Sequence, residues 1–244
     1  MSSELHPEDR RFKALRKFNS EDGHRLAGRR DRMAPMWNDW FPSDSLVDRL
    51  ARSLAKYHAI DMKEFCESFE FFQRVRKAVR RPVVVDLCGG HGFVGILFAV
   101  FERSVNQVVL VDTRRPKSHD QIMTAALEVA PWIAEKMTYV ERSIRGYTPP
   151  DGAGLIAVHA CGGRTDSCFD IAIDRRLPIA VMPCCHAFVK YGGRALPFAD
   201  VMPPDLAVDI DRSYRLKSAQ FNVSWTAIPR VVTPRNRVMI AIPQ

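Results

Sequence analysis

From residue 83 onward the chain alternates short apolar runs with longer segments of mixed polarity. Each run is four to six residues long and rich in β-branched side chains, which is typical of strands that are buried on both faces. Segments of helical length separate the runs, and this alternation predicts a doubly wound α/β sheet. The predicted strands are Val83–Asp86, Gln107–Val111, Met137–Val140, Leu155–Ala160 and Ile179–Met182.

The two ends of the chain depart from this alternation. Gln220–Ile228 and Arg237–Ile242 flank a proline-containing turn, which predicts a closing antiparallel hairpin. Before the sheet, one helix is predicted to begin after Ser43 or Ser45, and a second to begin after Asp61. The second helix ends at the proline that precedes the first strand, so a helical extension leads into the sheet.

Residues 1–42 are polar and basic and carry aromatic side chains only near their end. Two expectations stay open for this stretch, namely partial disorder and a loose arm. Trp37, Trp40 and Phe41 are candidates for stacking on nucleic-acid bases, for a flap over a ligand, or for docking the arm on the core. The predicted division is a basic arm and helical extension over residues 1–81 and a ligand-binding domain over residues 82–244.

Composition narrows the class of protein. With 46% apolar residues the bulk of the chain is not disordered. The longest apolar runs, such as Gly92–Phe101, fall short of the roughly 20 residues that cross a bilayer. The N-terminus lacks an apolar leader, so we expect a cytoplasmic protein. Six cysteines without a C-x-x-C pair are expected to be reduced thiols.

The chain carries a formal net charge of +8. Most of its basic side chains are arginines, whose guanidinium group suits phosphate. A basic protein attracts polyanions, which makes nucleic acid a reasonable partner, although many enzymes that act on small molecules are equally basic. The candidate phosphate contacts are Arg29, Arg30, Arg32, Arg76, Arg80 and Arg81.

The segment Asp86–Gly92, with the sequence DLCGGHG, follows the first predicted strand and opens a helix. Glycines there let the backbone turn sharply and approach a ligand, which the amides of the following helix also face. Gly90–Gly95 matches the G-x-G-x-x-G dinucleotide pattern. Asp112 ends the next strand, where a carboxylate accepts hydrogen bonds from ribose hydroxyls. A nucleoside ligand is therefore expected at this edge of the sheet.

Two nucleoside ligands fit this loop, and a turn without any ligand is the third alternative. A nicotinamide dinucleotide would place its pyrophosphate at the loop, where Asp86 would repel it. S-adenosylmethionine instead carries a sulfonium and an amino group, both of which a carboxylate attracts. The D-x-x-G-G-x-G pattern, the helical segment before the sheet and the hairpin after it favour S-adenosylmethionine.

Val83–Gly95, together with Val109–Asp112, resembles the cofactor half of class I S-adenosylmethionine-dependent methyltransferases. His159–Asp166 (HACGGRTD) and Met182–His186 (MPCCH) resemble one subfamily, which includes the tRNA ribose 2′-O-methyltransferases that act on the acceptor stem. This resemblance covers roughly residues 82–244. It implies a Rossmann-like sheet of seven strands whose last strand is reversed. The sequence departs from the family where Cys88 replaces the usual first glycine, and the zinc-binding segments of the tRNA enzymes are absent.

Cysteine and histidine side chains follow the first, fourth and fifth strands. Those strands are expected to be neighbours, so the side chains should converge. Four roles stay open for them: metal binding, covalent catalysis by a thiolate, proton transfer or positioning by a histidine, and packing. Thr165 and Asp166 are candidates for catalysis or for the N-cap of the next helix. The cluster comprises Cys88, His159, Cys161, Cys184, Cys185 and His186.

These patterns predict an enzyme that transfers the methyl group of S-adenosylmethionine to an oxygen or nitrogen atom. RNA, either tRNA or rRNA, is favoured as acceptor over a small molecule, and no metal is predicted. The alternatives are a nicotinamide-dependent oxidoreductase and a non-catalytic RNA-binding module with the same fold. The predicted cofactor-binding residues are Asp86, Cys88, Gly89, Gly90, Gly92, Asp112 and His159. The predicted catalytic residues are His159, Cys184, Cys185 and His186.

Overall fold

Seven strands form one sheet in the part of the chain that the computed structural model describes, residues 11–184, 186 and 201–244. The strands are β1 Val83–Leu87, β2 Gln107–Asp112, β3 Met137–Glu141, β4 Gly154–Val158, β5 Ile179–Met182, β6 Phe221–Ala227 and β7 Arg237–Pro243. Their order is β3-β2-β1-β4-β5-β7-β6. β1 to β5 are parallel, and β7 is antiparallel to both β5 and β6. The doubly wound sheet with a terminal antiparallel hairpin is confirmed.

Helices cover both faces of this sheet. They are α1 Glu21–Ala27, α2 Leu46–Lys56, α3 Met62–Val79, α4 Phe93–Phe101, α5 Lys117–Val129, α6 Arg164–Arg175 and α7 Pro204–Ser218. Successive residues of a strand point to opposite faces and so enter different cores. Val84 of β1 packs in the core shared with α2 to α5, whereas Val85 packs in the core shared with α6 and α7.

Side-chain caps fix where α2 and α3 begin. Ser45 Oγ accepts a hydrogen bond from Asp48 N at 3.2 Å, which makes Ser45 the N-cap of α2. Asp61 Oδ1 accepts one from Glu64 N at 2.6 Å, and α3 follows. Each bond satisfies an amide that has no partner within its own helix. Both predicted helix starts are confirmed.

The start of α6 corrects the N-cap prediction for Thr165 and Asp166. α6 begins after Gly163 without a side-chain cap. Thr165 Oγ1 donates to the carbonyl of Ala160 at 2.6 Å. Asp166 accepts hydrogen bonds from the Arg212 guanidinium of α7 at 2.8 and 3.1 Å. Because a buried guanidinium needs a carboxylate partner, Asp166 joins two helices instead of capping one.

The N-terminal stretch is folded from residue 11 onward. Glu70 of α3 is fully buried, and its carboxylate accepts hydrogen bonds from the backbone N–H groups of Lys13–Leu15 at 2.8 to 3.0 Å. Arg74, one turn further along α3, forms an ion pair with the same carboxylate. These contacts fasten the stretch to α3. Residues 11–42 are therefore ordered, and the expectation of partial disorder for residues 1–42 is left to residues 1–10, which lie outside the described part of the chain.

Aromatic side chains complete this attachment. Phe41 is fully buried and packs edge to face on Phe65 of α3, with ring centroids 5.5 Å apart. Trp40 packs on Phe18 at 5.3 Å. Of the three roles proposed for these aromatics, docking on the core is confirmed for Trp40 and Phe41. The division of the chain at residue 82 stays a prediction, since α2 and α3 share one core with the sheet.

Within the part of the chain described above, no helix is both long and apolar enough to span a membrane.

Candidate active site

The loop after β1 turns sharply into α4. Gly90 and Gly92 have positive φ angles of +54° and +75°, a backbone conformation that other residues rarely adopt. A Cβ atom on Gly92 would lie 2.3 Å from Leu110 Cδ1 of β2, so only glycine fits at this position. Cys88 also has a positive φ, of 58°. The sequence thus places cysteine where the backbone conformation favours the glycine of the resembled family.

Asp86 lies beneath this loop. Its side chain is buried, and its Oδ2 accepts a hydrogen bond from Gly95 N of α4 at 3.2 Å. Burial raises the pKa of Asp86 to about 7, with a smaller contribution in the same direction from Asp112. Such a carboxyl group changes its charge near neutral pH. A cationic ligand would favour its ionised form.

Asp112 ties the loop to the end of β2. Its Oδ2 accepts a hydrogen bond from Gly90 N at 2.9 Å, and its Oδ1 accepts one from Thr113 N at 2.6 Å. Tyr139 of β3 supports the same loop by donating from its hydroxyl to the Gly90 carbonyl at 2.8 Å. A carboxylate accepts up to about four hydrogen bonds, so half-buried Asp112 keeps capacity for the hydroxyls of a ligand.

α3 also contributes side chains to the site, and the sequence did not predict this contribution. Glu67 Oε2 lies 2.8 Å from Nε2 of His159, the residue that follows β4. Lys63 Nζ lies 2.9 Å from the same oxygen. Burial acts to raise the pKa of Glu67, but the bonds with His159 and Lys63 hold that pKa below its usual value. Glu67 is therefore ionised and keeps His159 in a fixed position.

These elements enclose a cavity of about 270 Å³ at the carboxyl edge of the sheet. Four carboxyl groups and two histidines face it. The predicted residues in its lining are Asp86, Cys88, Gly89, Gly90, Asp112 and His159, and the residues that were not predicted are Glu64, Glu67, Ser68, His91, Phe93, Val94 and Val158. Gly92 shapes the turn from the start of α4 and lies outside the lining.

Residues 55–191 match a family model described as a methyltransferase domain. This match covers more than half of the chain and includes every residue of the cavity lining. The chain belongs to this family.

A solved structure agrees with the fold of a methyltransferase domain. The domain is similar to a putative O-methyltransferase from Klebsiella pneumoniae, with a TM-score of 0.50 and 12% sequence identity over 86% of this chain and 94% of that one. The methyltransferase domain of a bacterial CtHen1 protein matches with a TM-score of 0.46 and 13% identity, over 70% of this chain and 94% of that one.

Curated relatives of this methyltransferase domain are much longer proteins. A human glutathione S-transferase C-terminal domain-containing protein is 23% identical over 200 residues, which cover 66% of this chain and 30% of the relative. The Xenopus laevis protein of the same name is 29% identical over 107 residues, which cover 44% of this chain and 16% of the relative. The chain thus spans less than a third of the length of these relatives.

The methyltransferase domain holds His186 apart from the cavity. His186 Nε2 lies 2.8 Å from Asp209 Oδ1 of α7, and the histidine side chain is 4% exposed. Asp209 also accepts hydrogen bonds from Arg212 and Arg237, at 3.0 to 3.2 Å. His186 is absent from the cavity lining among the described residues. Cys185, the other predicted residue of this segment, lies outside them.

Four of the five described thiols form two pairs, and the fifth, Cys66, is buried in α3. Cys161 Sγ and Cys184 Sγ lie 3.1 Å apart, on the segments that follow β4 and β5, and neither lines the cavity. Cys88 shares a hydrogen bond with buried Cys168, which lowers the pKa of Cys88 and raises that of Cys168. The predicted cluster is therefore divided, with Cys88 and His159 at the cavity and the other described members beyond it. Across those described residues, no three His, Cys, Asp or Glu side chains are grouped as metal ligands.

Proposed function

We propose that this methyltransferase domain uses S-adenosylmethionine as its methyl donor and transfers the methyl group to an oxygen or nitrogen atom of RNA. The main support for S-adenosylmethionine as the cofactor is the acidic cavity at the end of β1. It combines Asp86, Asp112, Glu64 and Glu67 with the backbone of the glycine loop. A nicotinamide dinucleotide would bring its pyrophosphate to the same carboxyl groups, which disfavours that alternative.

The residues present fit S-adenosylmethionine. Asp86 and Glu67 match its positive charge, and Asp112 matches its ribose hydroxyls. Glu67 also keeps one buried carboxylate oxygen, Oε1, without a hydrogen-bond partner in the described parts of the chain. Such an atom is typical of a site that meets a ligand, because buried polar atoms are otherwise paired.

When bound, S-adenosylmethionine supplies a methyl group on a positively charged sulfur. The residues of this chain have to orient the acceptor and take its proton, and His159 suits that role. Its side chain is 43% exposed and is held by Glu67 at 2.8 Å. A positioned histidine contributes roughly 10² to 10⁴-fold as a proton acceptor. The catalytic role of Cys184, Cys185 and His186, which follow β5, the neighbour of β4, stays a prediction.

Exposed arginines at the carboxyl edge of the sheet support RNA as the acceptor. They stand on the segments that follow β2, β3 and β4, and the cavity lies at the same edge. Positive charge at this edge suits a phosphate backbone. The arginines are Arg114, Arg142, Arg145 and Arg164.

Three of the six arginines singled out from the sequence fit this role less well. Arg76 and Arg80 both pair with buried Glu102. Arg29 pairs with Asp31 at 2.7 Å. A guanidinium in such a pair has to leave its carboxylate before it binds phosphate. The arginines of the carboxyl edge are therefore better candidates than these three.

Two measurements test the cofactor. Mass spectrometry of the supernatant from denatured protein should detect S-adenosylmethionine or its demethylated product. Calorimetry should detect binding of S-adenosylhomocysteine, and Asp112→Ala should weaken it about tenfold or more, because a charge-assisted hydrogen bond contributes roughly 1.5–3 kcal/mol. Tight binding of NAD without any binding of S-adenosylhomocysteine would overturn the assignment.

Fluorescence anisotropy with total tRNA, and separately with rRNA fragments, tests the acceptor. Affinity should fall steeply as salt increases, and Arg114→Gln or Arg142→Gln should each reduce the salt slope by roughly 0.7. Arg103→Gln is the matched control, because exposed Arg103 lies between α4 and β2 at the opposite edge of the sheet. No binding at about 50 mM salt would point to a small-molecule acceptor.

A further inference from the structure

The Glu67 carboxylate has one satisfied and one unsatisfied oxygen. Oε2 lies 2.8 Å from His159 Nε2 and 2.9 Å from Lys63 Nζ. Oε1 is buried, and no donor in the described residues reaches it. Glu67 as a whole is 2% exposed and lines the cavity. A buried carboxylate oxygen without a donor is costly, so this atom indicates a ligand whose N–H or O–H group reaches it.

The groups around Glu67 favour a cation as that ligand group. Glu64 and Asp86 line the same cavity and add acceptors. The nearby donors, His159 and Lys63, already bind Oε2. Burial acts to raise the pKa of Glu67, but those two bonds hold the pKa below its usual value. An ammonium group at Oε1 would gain a hydrogen bond and the attraction of opposite charges together.

The order of the strands gives the cavity two ends. Asp112 ends β2, on one side of β1, whereas His159 follows β4, on the other side, and Glu67 meets it there. S-adenosylmethionine likewise has two ends, a ribose with two hydroxyls and a methionine chain with an amino group. With the ribose at Asp112, the methionine chain extends toward Glu67.

We propose that Glu67 binds the amino group of the cofactor's methionine part through Oε1, while His159 and Lys63 hold the carboxylate in place through Oε2. This inference rests on the proposed cofactor. It makes Glu67 a binding residue that comes from the helix before the sheet, separate from the glycine loop. His159 then contacts Glu67, which binds the cofactor, and also faces the space in which the acceptor is expected.

Calorimetry with three ligands tests this assignment. S-adenosylhomocysteine carries the whole amino-acid chain, its decarboxylated analogue keeps only the amino group, and 5′-methylthioadenosine lacks both groups. Glu67→Gln should weaken binding of the first two ligands about tenfold or more and change binding of the third less than about twofold. The amide oxygen still accepts from His159 and Lys63, while an NH₂ group replaces Oε1 and faces the ammonium.

Asp112→Asn is the matched control, because the ribose is common to the three ligands. It should weaken all three by a similar factor. Glu67→Asp is the second variant, since it keeps the charge but withdraws the carboxylate by one methylene. It should also weaken only the two ligands that carry an amino group. Thermal unfolding of each variant establishes that the domain is folded before binding is measured.

Two results would overturn the inference and leave the proposed cofactor intact. One is an equal loss for all three ligands in Glu67→Gln, and the other is unchanged binding of the two ligands that carry an amino group. Failure of all three nucleosides to bind the unsubstituted protein would instead overturn the proposed function itself. Should Glu67→Gln fail to fold, the same comparison made with Glu67→Asp decides.

Discussion

Two histidines of this domain make the same contact in opposite surroundings. His159 lies 2.8 Å from Glu67 beside the cavity, and His186 lies 2.8 Å from Asp209 beneath α7. The side chain of His159 is 43% exposed, whereas that of His186 is 4% exposed. A histidine–carboxylate pair alone therefore does not identify a catalytic histidine. The exposure of the side chain separates the two.

The two carboxylates differ as much as the histidines. Glu67 has one oxygen without a donor in the described residues, whereas Asp209 meets two guanidinium groups in addition to its histidine. Asp209 thereby links α7 to β7 and, through Arg212, to Asp166 of α6. The first site has capacity left for a ligand. At the second site the Asp209 carboxylate is saturated and holds elements together, while the buried atom without a partner in the described residues is Nδ1 of His186.

The largest expected effect separates the two histidines by turnover. His159→Ala should lower the rate of methyl transfer by roughly 10² to 10⁴-fold and leave the affinity for S-adenosylhomocysteine nearly intact. His186→Ala should lower turnover less than about tenfold and act mainly on stability. Steady-state assays on both variants measure this. A larger loss of turnover in His186→Ala than in His159→Ala would assign proton transfer to His186. Full activity in both variants would show that both histidine–carboxylate pairs are structural.

The free energy of unfolding should depend more on Asp209 than on Glu67, the reverse of the order expected for turnover at their histidine partners. Asp209→Asn removes the charge that Arg212 and Arg237 share, although Asp166 and Asp205 still pair with these two arginines, so the free energy of unfolding should fall by about 1.5–3 kcal/mol. Glu67→Gln should cost less, about 1 kcal/mol, because the amide oxygen still accepts from His159 and Lys63 and the lost oxygen has no donor in the described residues. Urea unfolding of both variants gives the comparison. An equal loss of unfolding free energy in both variants would show that Glu67 stabilises the fold as much as Asp209 does.

The pH dependence of stability and binding tests the charge of the cavity. The pKa of Asp86, raised by burial to about 7, lies above the ordinary value of 3.8. Between these values the unfolded chain has lost a proton that the folded domain keeps, so the free energy of unfolding falls as pH rises. Asp86→Asn should remove this contribution, as thermal unfolding across that range would show.

The titration of Asp86 should affect ligand affinity in the opposite direction, because affinity should rise with pH while the free energy of unfolding falls. The affinity for S-adenosylhomocysteine, whose amino group is cationic, should rise as the pH passes upward through about 7, because Asp86 then becomes negative. In Asp86→Asn the affinity should stay flat over that interval. A flat profile in the unsubstituted domain would mean that Asp86 does not act on the ligand.

The smallest effect is expected at the thiols beyond the cavity. Cys184 Sγ contacts Cys161 Sγ at 3.1 Å, and a hydroxyl of similar size replaces a packing thiol well. Cys184→Ser should therefore keep turnover within about threefold. Covalent catalysis would make this variant inactive, and RNA containing a 5-fluoropyrimidine would then trap the unsubstituted protein.

The sequence could predict the glycine loop because its determinants are local. Asp86, the glycines and Asp112 follow strands that short β-branched runs define, and parallel strands bring their carboxyl ends to one edge. The fold requires Gly92, since its φ is +75° and the Leu110 side chain occupies the space of a Cβ atom there. Sequence reasoning of this kind needs only the order of elements along the chain.

Glu67 could not be predicted in the same way. It lies 92 residues from His159 in the sequence, and its position depends on how α3 packs on the sheet. A helical stripe of Phe65, Phe69 and Phe72 indicates one buried face, yet Glu67 and Glu70 are buried as well. The available signal was a set of acidic residues among phenylalanines on the helix before the glycine loop.

Nor could the separation of His186 from the cavity be predicted. The strand order places β5 next to β4, which suggests that the residues after both strands converge. His186 pairs instead with Asp209, which lies 23 residues away on a helix that fills the opposite core. Neighbouring strand ends therefore fix which edge a residue occupies, but not which face of the sheet its side chain joins.

The buried carboxylate of Glu70 limits where this domain can be cut. A fragment that begins at residue 55, where the match to the family starts, keeps Glu70 but loses the N–H groups of Lys13–Leu15 that satisfy it. It also loses Phe18 and Phe41 and thereby uncovers Phe65. Such a fragment would expose aromatic surface and aggregate when it is expressed. The smallest piece suitable for crystallisation or binding assays therefore begins upstream of Phe12.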